Sequence, residues 1–379
     1  MLKIGIVSEY YYPLLGGISE NVHNTATQLV RMGHEVKIIT SNHHRFNGFP
    51  SSGALPNGIP KIAIGRSVRI PWNGSVTHVS VGFSSLWTDL RRTMFQERFD
   101  LVHVHSPLVF TLPPMAILAS PCKSIATFHS YFDHSPIYAG IKGLLQKHFL
   151  DKLDGQIAVS QSCVRALTPY FRVNPRVIPN GIDTNLFTPS APRLERFGPD
   201  KVNLLFLSRL EPRNGLDVML KAFALVRARE PRVRLIIVGD GPLRAAYEKR
   251  IPASLAGDVH FEGARLVERP SYYATADIYC APISRASFGM TLLEAMATGR
   301  PIVATENDGF RDLLSADEAI MVPTGDHAAF AEAILALIAD PARRRRMGEA
   351  GLAKATQYAW PRVTEQLVAY YEEVLGRRG

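Results

Sequence analysis

The chain has 379 residues, a formal net charge of +9 and three cysteines. These figures limit the number of domains, the cellular compartment and the kind of partner that the protein can have. A chain of this length exceeds one typical hydrophobic core, which predicts two domains. Cys122, Cys163 and Cys280 are odd in number and widely spaced, which argues against a disulfide framework or a zinc site and favours a reducing cytoplasm. The positive charge predicts an anionic partner, either a nucleic acid, an acidic membrane surface or a phosphorylated substrate.

Apolar runs of strand length alternate with helical patterns in the first half of the chain. The first run, 4–7, is too short for a signal sequence or a membrane span and is predicted to be a buried strand. Further strands are predicted at 35–40, 101–105, 124–128 and 156–159, with helices at 20–31, 84–96 and 141–153. This alternation predicts a parallel, doubly wound sheet. Residues 45–73 are rich in Gly, Pro and Asn, and we expect a mobile excursion without fixed structure there.

The same alternation restarts in the second half and predicts a second doubly wound domain. Its strands are predicted at 202–207, 233–238, 259–261, 278–281 and 301–305, and its helices at 216–229 and 243–250. The Pro-containing stretch 188–199 has the turn chemistry of a linker, so the domains are predicted at 1–186 and 187–359. The last helix, 361–375, begins with Pro361 and is expected to cross back, which adds residues 360–379 to the first domain.

Gly16 and Gly17 lie between the first predicted strand and the first predicted helix. Backbone N–H groups at the start of a helix can approach a phosphate there, because no Cβ stands in the way. A plain turn is the alternative. No Gly-x-Gly-x-x-Gly follows the first strand, which argues against a dinucleotide-binding dehydrogenase.

Two loops of the second domain carry the chemistry of an anion site. Arg209 follows the strand 202–207 and could bind a diphosphate in bidentate fashion, although a solvated surface arginine is the alternative. The loop at Ser287 runs into a helix, whose first N–H groups could cap a diphosphate. Glu294 follows two turns later and could accept hydrogen bonds from ribose hydroxyls. If that face is buried, its carboxylate needs a ligand or a cationic partner.

The ordered motifs along the chain resemble the large family of retaining glycosyltransferases with the GT-B fold. They are Gly16-Gly17, Thr127-Phe128-His129, Val177-Ile178-Pro179-Asn180-Gly181-Ile182-Asp183, Ser208-Arg209-Leu210, Val238-Gly239-Asp240-Gly241-Pro242 and Ser287-Phe288-Gly289-Met290 through Glu294. The resemblance implies an α/β fold with two Rossmann-like domains that face a central cleft, the first binding the acceptor and the second the nucleotide sugar. The segments 70–76 and 307–311, with that around His129, are most similar to phosphatidylinositol α-mannosyltransferases.

The resemblance also implies roles for individual residues. Taken alone, His129 would be a structural histidine like His103 and His105, but in this family it would contact the donor sugar near the reacting carbon. The implied catalytic residues are His129, Arg209 and Arg213. The implied donor-binding residues are Gly16, Gly17, Ser208, Arg209, Asn214, Phe288, Gly289, Met290, Thr291 and Glu294. The implied acceptor-binding residues are Trp72, Asn73 and Ser75.

Two positions depart from the family pattern, which usually has a lysine where Asn214 stands and a glutamate where Ala286 stands. Without the lysine, no ammonium group at this position stabilises the negative charge of the leaving diphosphate. Arg213 could compensate for that missing positive charge. Losing the glutamate removes an acceptor for sugar hydroxyls, and the neighbouring Arg285 makes the subsite more positive. The donor sugar is therefore either a mannose-like hexose or a related sugar such as a uronic acid.

The predicted reaction is the transfer of a sugar from a GDP- or UDP-linked donor to a hydroxyl acceptor, with retention of the anomeric configuration. The sequence has no Asp-x-Asp pair, so we expect neither a metal nor another cofactor. The alternative is a sugar-nucleotide-binding protein without turnover or with altered specificity. Nucleic-acid binding is not expected, because no helix combines a basic stripe with interleaved aromatic residues.

The acceptor is predicted to be an anionic, phosphatidylinositol-like lipid. In the helix 84–95, Leu86, Leu90 and Phe95 lie roughly on one side with Arg91 and Arg92 beside them, a pattern that suits an anionic bilayer surface. The equally supported alternative is a helix packed on its own sheet with a basic outer face. The predicted location is the cytoplasm. If the helix 84–95 lies on an anionic bilayer, the protein is also predicted to attach peripherally to the inner face of the membrane.

Overall fold

The computed structural model describes residues 1–14, 16–42, 58–72, 75–109, 111–132 and 134–376. The chain divides into two compact units, one of Met1–Gly181 with Trp360–Gly379 and one of Ile182–Ala359. The division therefore follows Gly181, whereas the sequence predicted it after residue 186. No helix in the described part of the chain combines the length and the apolar character that a membrane span requires.

The first unit is built on a sheet in which the described strands have the order β4-β3-β2-β1-β5-β6-β7-β8. The strands are β1 (Lys3–Ser8), β2 (Glu35–Asn42), β3 (Lys61–Trp72), β4 (Ser75–Val81), β5 (Leu101–His105), β6 (Lys123–Phe128), β7 (Gly155–Ala158) and β8 (Arg176–Val177). Neighbouring strands are parallel except β3 and β4. Ile4, Ile6 and Val7 of β1 are fully buried, as expected of a central strand covered on both faces.

Helices cover the sheet of the first unit on its two faces. They are α1 (Gly17–Arg31), α2 (Phe83–Glu97), α3 (Leu112–Ala119), α4 (Pro136–His148), α5 (Gln161–Leu167) and, at the end of the chain, α13 (Trp360–Val374). Trp360 and Tyr371 of α13 share a hydrophobic core with Ile4 of β1 and Val22 of α1. The expectation that the last helix returns to the first domain is thus confirmed.

The predicted excursion at 45–73 is wrong for its last part. Residues 61–72 form β3, in which Ile62, Ile64, Val68 and Ile70 alternate with other residues in the two-residue period of a strand. The Gly, Pro and Asn content of the longer segment concealed this shorter pattern. Residues 43–57 lie outside the described residues.

The second unit is a doubly wound sheet of parallel strands in the order β11-β10-β9-β12-β13-β14. The strands are β9 (Val202–Leu207), β10 (Val233–Val238), β11 (Val259–Gly263), β12 (Ile278–Ala281), β13 (Ile302–Thr305) and β14 (Ala319–Val322). The helices are α6 (Leu216–Arg229), α7 (Arg244–Glu248), α8 (Arg269–Thr275), α9 (Met290–Ala297), α10 (Asp308–Arg311), α11 (His327–Ala339) and α12 (Pro341–Ala355). The strand order reverses between β9 and β12, which leaves a crevice where these two strands end.

Candidate functional site

The loops that follow β9 and β12 are held together in the second unit. The backbone N–H and the hydroxyl of Ser284 both donate to the carbonyl oxygen of Arg213, at 2.9 and 3.0 Å. Gly215 has a φ of +75°, and a Cβ on it would lie 2.0 Å from the carbonyl oxygen of Pro282. Only glycine allows this approach. The structure therefore brings the two loops predicted to bind the donor to one place, at the carboxyl ends of adjacent strands.

Two arginines of the first loop share one buried carboxylate. Arg209 Nη1 lies 3.2 Å from Glu211 Oε1, and Arg213 Nε lies 3.3 Å from Glu211 Oε2. The side chains of Arg209 and Arg213 remain 53% and 45% exposed, whereas that of Glu211 is 11% exposed. The carboxylate orients both guanidinium groups and leaves a net positive charge at the crevice, which suits a phosphate-bearing ligand.

Asn214 serves the loop itself. Its side chain is buried, and its amide nitrogen donates to the carbonyl oxygen of Arg209 at 2.7 Å. This hydrogen bond fixes the backbone from which Arg209 extends. A direct contact of Asn214 with the donor stays a prediction, as does the role of Ser208, whose backbone N–H donates to the carbonyl oxygen of Val238 at 3.0 Å.

The second loop ends at the start of α9. Phe288 is buried, with its ring centroid 6.2 Å from that of Tyr358, and Gly289 adopts a φ of +121° that a side chain rarely allows. The N–H groups of Met290 and Thr291 belong to the first turn, so they have no carbonyl to donate to within the helix. The positive end of the helix dipole therefore lies at the same crevice as the two arginines.

Glu294 is buried inside α9 and has a cationic partner within the protein. Its side chain is 1% exposed, and its Oε1 lies 2.9 Å from Nη1 of Arg269 on α8. The Glu294 carboxylate is also one of the groups that, after burial, raise the pKa of Tyr273. The sequence required either a ligand or a cation for this carboxylate, and Arg269 meets that need. The contact with ribose stays a prediction.

His129 lies at the corresponding edge of the sheet in the first unit, directly after β6. It lines a pocket together with Ser106, Phe128 and Tyr138. Its Nε2 lies 2.8 Å from Nδ1 of His105, the last residue of β5, and the two rings are stacked with their planes 20° apart. Burial lowers the pKa of His129 to about 3 and that of His105 well below its usual range, so both rings are neutral at pH 7.

A third buried histidine completes this group. His103 Nε2 lies 2.7 Å from Thr127 Oγ1, and His103 Nδ1 lies 2.6 Å from the hydroxyl oxygen of Tyr371 on α13. From the sequence alone, His103 and His105 are predicted to be structural, and the contact of His105 with His129 is not predicted. The two-residue period of a strand was the available signal, because residues 103 and 105 of β5 are in register with residues 125 and 127 of β6, and His129 follows two residues after Thr127.

A buried carboxylate follows β1 and was also missed. Glu9 is fully buried, and its carboxylate accepts hydrogen bonds from the hydroxyls of Ser41 at 2.5 Å, Ser80 at 2.8 Å and Thr111 at 3.0 Å. Burial raises its pKa, and these hydrogen bonds oppose that shift. Gly16 precedes α1 further along the same connection, and its carbonyl oxygen accepts from the N–H of Glu20 at 3.0 Å. Gly17 is the first residue of α1.

Two of the three predicted acceptor residues lie on the neighbouring strands β3 and β4. Trp72 ends β3 and pairs with Ser75, which begins the antiparallel strand β4. Asn73 lies outside the described residues. The structure thus pairs Trp72 with Ser75 on two antiparallel strands, and their contact with an acceptor stays a prediction.

The helix α2 corrects one detail of the predicted membrane surface. Leu86 and Leu90 are buried in the core under the helix, so they do not share an outer face with Phe95. Phe95 is 56% exposed, and the guanidinium carbon of Arg91 lies 5.7 Å from the centroid of its ring. The apolar side of α2 packs on its own unit, and its outer side carries Arg91, Arg92 and Phe95.

Comparisons with known proteins match the chain over nearly its whole length. The family described as "Glycosyltransferase Family 4" matches residues 15–186, and "Glycosyl transferases group 1" matches residues 201–340. The phosphatidyl-myo-inositol mannosyltransferase of Mycolicibacterium smegmatis is 32% identical over 381 residues, which cover 99% of this chain and 95% of that protein.

Two solved structures show the same fold. Sucrose-phosphate synthase from Thermosynechococcus elongatus has a TM-score of 0.74 and 19% identity, and the overlay covers 100% of both chains. HepE from Anabaena, solved in complex with UDP and glucose, has a TM-score of 0.75 and 20% identity, and the overlay covers 98% of this chain and 100% of that chain.

Proposed function

Because the chain belongs to the glycosyltransferase family that includes the phosphatidyl-myo-inositol mannosyltransferases, we propose that it transfers a mannose-like hexose from a nucleotide diphosphate to a phosphatidylinositol-type lipid. Sugar transfer is the activity of the family. The donor, the lipid acceptor and retention of the anomeric configuration are the parts that we propose. The observation that carries the nucleotide-diphosphate donor is that Arg209, Arg213 and the start of α9 belong to the two joined loops at one crevice of the second unit.

This crevice supports the binding of a diphosphate that gains charge as it leaves. Two guanidinium groups oriented by Glu211 and the first N–H groups of α9 supply hydrogen bonds and positive potential without reorganising during the reaction. Such preorganised donors stabilise the leaving group more than the bound donor, which is the requirement for catalysis. Among the described residues, no three His, Cys, Asp or Glu side chains converge to hold a metal ion, and a metal-independent reaction is part of the proposal.

The acceptor side of the proposal rests on the relative and on the basic outer side of α2. Arg91 and Arg92 with the exposed ring of Phe95 suit the surface of an anionic bilayer, where each basic residue contributes about 1 kcal/mol. This would place the chain at the membrane surface as a peripheral protein.

A second candidate is a sugar-nucleotide-binding protein with altered or lost transfer. The amide of Asn214 donates to the carbonyl oxygen of Arg209, so no ammonium group stands at that position. Ala286 supplies no acceptor for sugar hydroxyls, and Arg285 beside it favours a sugar that carries a negative charge, such as a uronic acid.

The test is incubation with a panel of GDP-, UDP- and ADP-linked sugars and vesicles that contain phosphatidylinositol. UDP-sugars belong in the panel because HepE binds UDP on the same fold. We expect a glycosylated lipid, identified by mass, with its anomeric configuration read from proton couplings and its yield unchanged by EDTA. Binding of a nucleotide sugar without transfer or hydrolysis across the panel would establish the second candidate instead.

A further inference from the structure

We propose that His105 fixes the tautomer of His129, so that His129 presents an Nδ1–H group to its ligand as a hydrogen-bond donor. The tautomer follows from the contacts of two neutral buried rings and does not depend on which reaction the protein catalyses. Only the use of this N–H group in sugar transfer rests on the function proposed above. His105 is then a positioning residue, because it acts through His129.

The contact between the two rings allows two arrangements. Nδ1 of His105 lies 2.8 Å from Nε2 of His129, and between two neutral rings one nitrogen must donate and the other must accept. In the first arrangement His105 Nδ1–H donates, His129 Nε2 accepts and the proton of His129 is on Nδ1. In the second arrangement the donor and acceptor exchange, and His129 Nδ1 carries a lone pair.

The other nitrogen of His105 decides between them. Its Nε2 is buried and has no hydrogen-bond partner within the described part of the chain. His103 cannot supply one, because its two ring nitrogens contact Tyr371 and Thr127. The second arrangement would leave an N–H group on this nitrogen without an acceptor, whereas the first leaves only a lone pair. Orphaned buried N–H groups are rarer in proteins than under-satisfied acceptors, which favours the first arrangement.

The first arrangement determines what His129 can do. Its Nδ1 makes no hydrogen bond to any described residue, and the ring lines the pocket with Ser106 and Tyr138. An Nδ1–H group can donate to an oxygen of the sugar or of the acceptor. It has no lone pair to take a proton from an acceptor hydroxyl, so His129 is not the general base of the transfer.

Nuclear magnetic resonance of the full-length protein with ¹⁵N-labelled histidine tests the tautomer directly. Long-range ¹H–¹⁵N correlations distinguish an Nδ1–H from an Nε2–H ring, and the spectrum of His129→Asn assigns the signals. We expect the Nδ1–H pattern for His129. An Nε2–H pattern would overturn the proposal, whether or not transfer activity has been found.

Two variants of His105 extend the test. In His105→Asn the amide N–H can replace the Nδ1–H donor, whereas in His105→Asp a carboxylate oxygen can only accept and forces the proton of His129 onto Nε2. We expect His105→Asp to switch the His129 pattern and to lower kcat at least about tenfold with little change in the donor KM, as expected for a lost preorganised donor. His105→Asn should retain both the Nδ1–H pattern of His129 and the kcat of the unmodified protein, whereas His105→Asp should lose both.

A merely structural role predicts a different result, in which both variants lose activity in step with their melting temperatures. If His105→Asp does not fold, the spectrum of the unmodified protein and the rate of His105→Asn still decide. Retention of the Nδ1–H pattern in a folded His105→Asp variant would contradict the proposal. If the panel assay finds no transfer, the spectra alone decide the tautomer, so failure of the proposed function remains distinguishable.

Discussion

The two units use the same edge of a doubly wound sheet for different chemistry. In the second unit, Arg209 and Arg213 flank Glu211 where β9 ends, and the positive end of α9 lies beside them. In the first unit, the neutral rings of His105 and His129 hydrogen-bond to each other where β5 and β6 end. The fold thus provides the position and the side chains decide the chemistry, which is charge in one unit and directed hydrogen bonding in the other.

The charged crevice gives the largest expected effect. Arg209→Gln should lower kcat/KM about a hundredfold to a thousandfold, because it removes a preorganised cation from the developing charge of the leaving diphosphate. Titration of GDP or UDP at low and high salt should show weaker binding with a smaller salt dependence. Arg229→Gln is the matched control, since Arg229 is a half-exposed arginine at the far end of α6 paired with Glu332. Unchanged nucleotide affinity in Arg209→Gln would separate Arg209 from the diphosphate.

Glu294 tests how much of the second unit's site is structural. Glu294→Ala should lower the free energy of unfolding by about 3 to 5 kcal/mol, because it leaves the largely buried Arg269 without its carboxylate. Chemical denaturation measures this loss.

The double variant Glu294→Leu with Arg269→Met is the control for this prediction. It removes both charges and should recover most of the stability. If the double variant still binds a 2′-deoxynucleotide as well as the unmodified protein does but has lost affinity for the ribonucleotide, Glu294 contacts the ribose. Equal losses for both nucleotides would make the pair purely structural.

Much of the fold was predictable, and the exceptions have local causes. The solved structures with the same fold confirm the GT-B resemblance. The fold could be predicted because long apolar strands and the turns between them dominate the sequence pattern. The short helix α3 was missed because nearly every residue in it is buried and its apolar run has no helical period. The predicted helix at 141–153 is displaced, since Ser135 accepts from the N–H of Tyr138 and Pro136 opens α4 earlier.

The candidate site also has parts that could be predicted from the sequence and parts that could not. The loops at Arg209 and Phe288 could be predicted, because they follow strands and carry residues suited to an anion. Partners that come from elsewhere in the chain could not, since Arg269 reaches Glu294 from a different helix. The hydrogen bond of Asn214 to its own loop was equally hidden, because it depends on how the loop turns back.

The histidine group of the first unit predicts a dependence of stability on pH. Burial lowers the pKa of His103 and His129 to about 3, so below about pH 6.5 the unfolded chain takes up protons that the folded chain does not. The stability that these groups contribute is therefore present above that pH and is lost as the pH falls. The free energy of unfolding should fall by about 1.4 kcal/mol per pH unit for each such histidine.

Denaturation at several values between pH 7 and 5 checks this prediction. His103→Asn should reduce the slope of the unfolding free energy against pH by the contribution of one histidine. The variant should also have a lower free energy of unfolding at pH 7, because it loses the contacts with Thr127 and Tyr371. A slope equal to that of the unmodified protein would mean that His103 takes up its proton in the folded state.

The smallest expected effect concerns the basic outer side of α2 in the first unit. Arg91→Gln and Arg92→Gln should each weaken binding to vesicles with phosphatidylinositol by about 1 kcal/mol, close to fivefold, because each removes one charge near an anionic surface. Vesicle sedimentation measures the change, and Arg346→Gln on α12 is the control for the loss of an exposed positive charge elsewhere. If all three variants bind equally, the positive charge of the first unit does not direct it to the lipid, and the buried residues Leu86 and Leu90 account for α2 by packing alone.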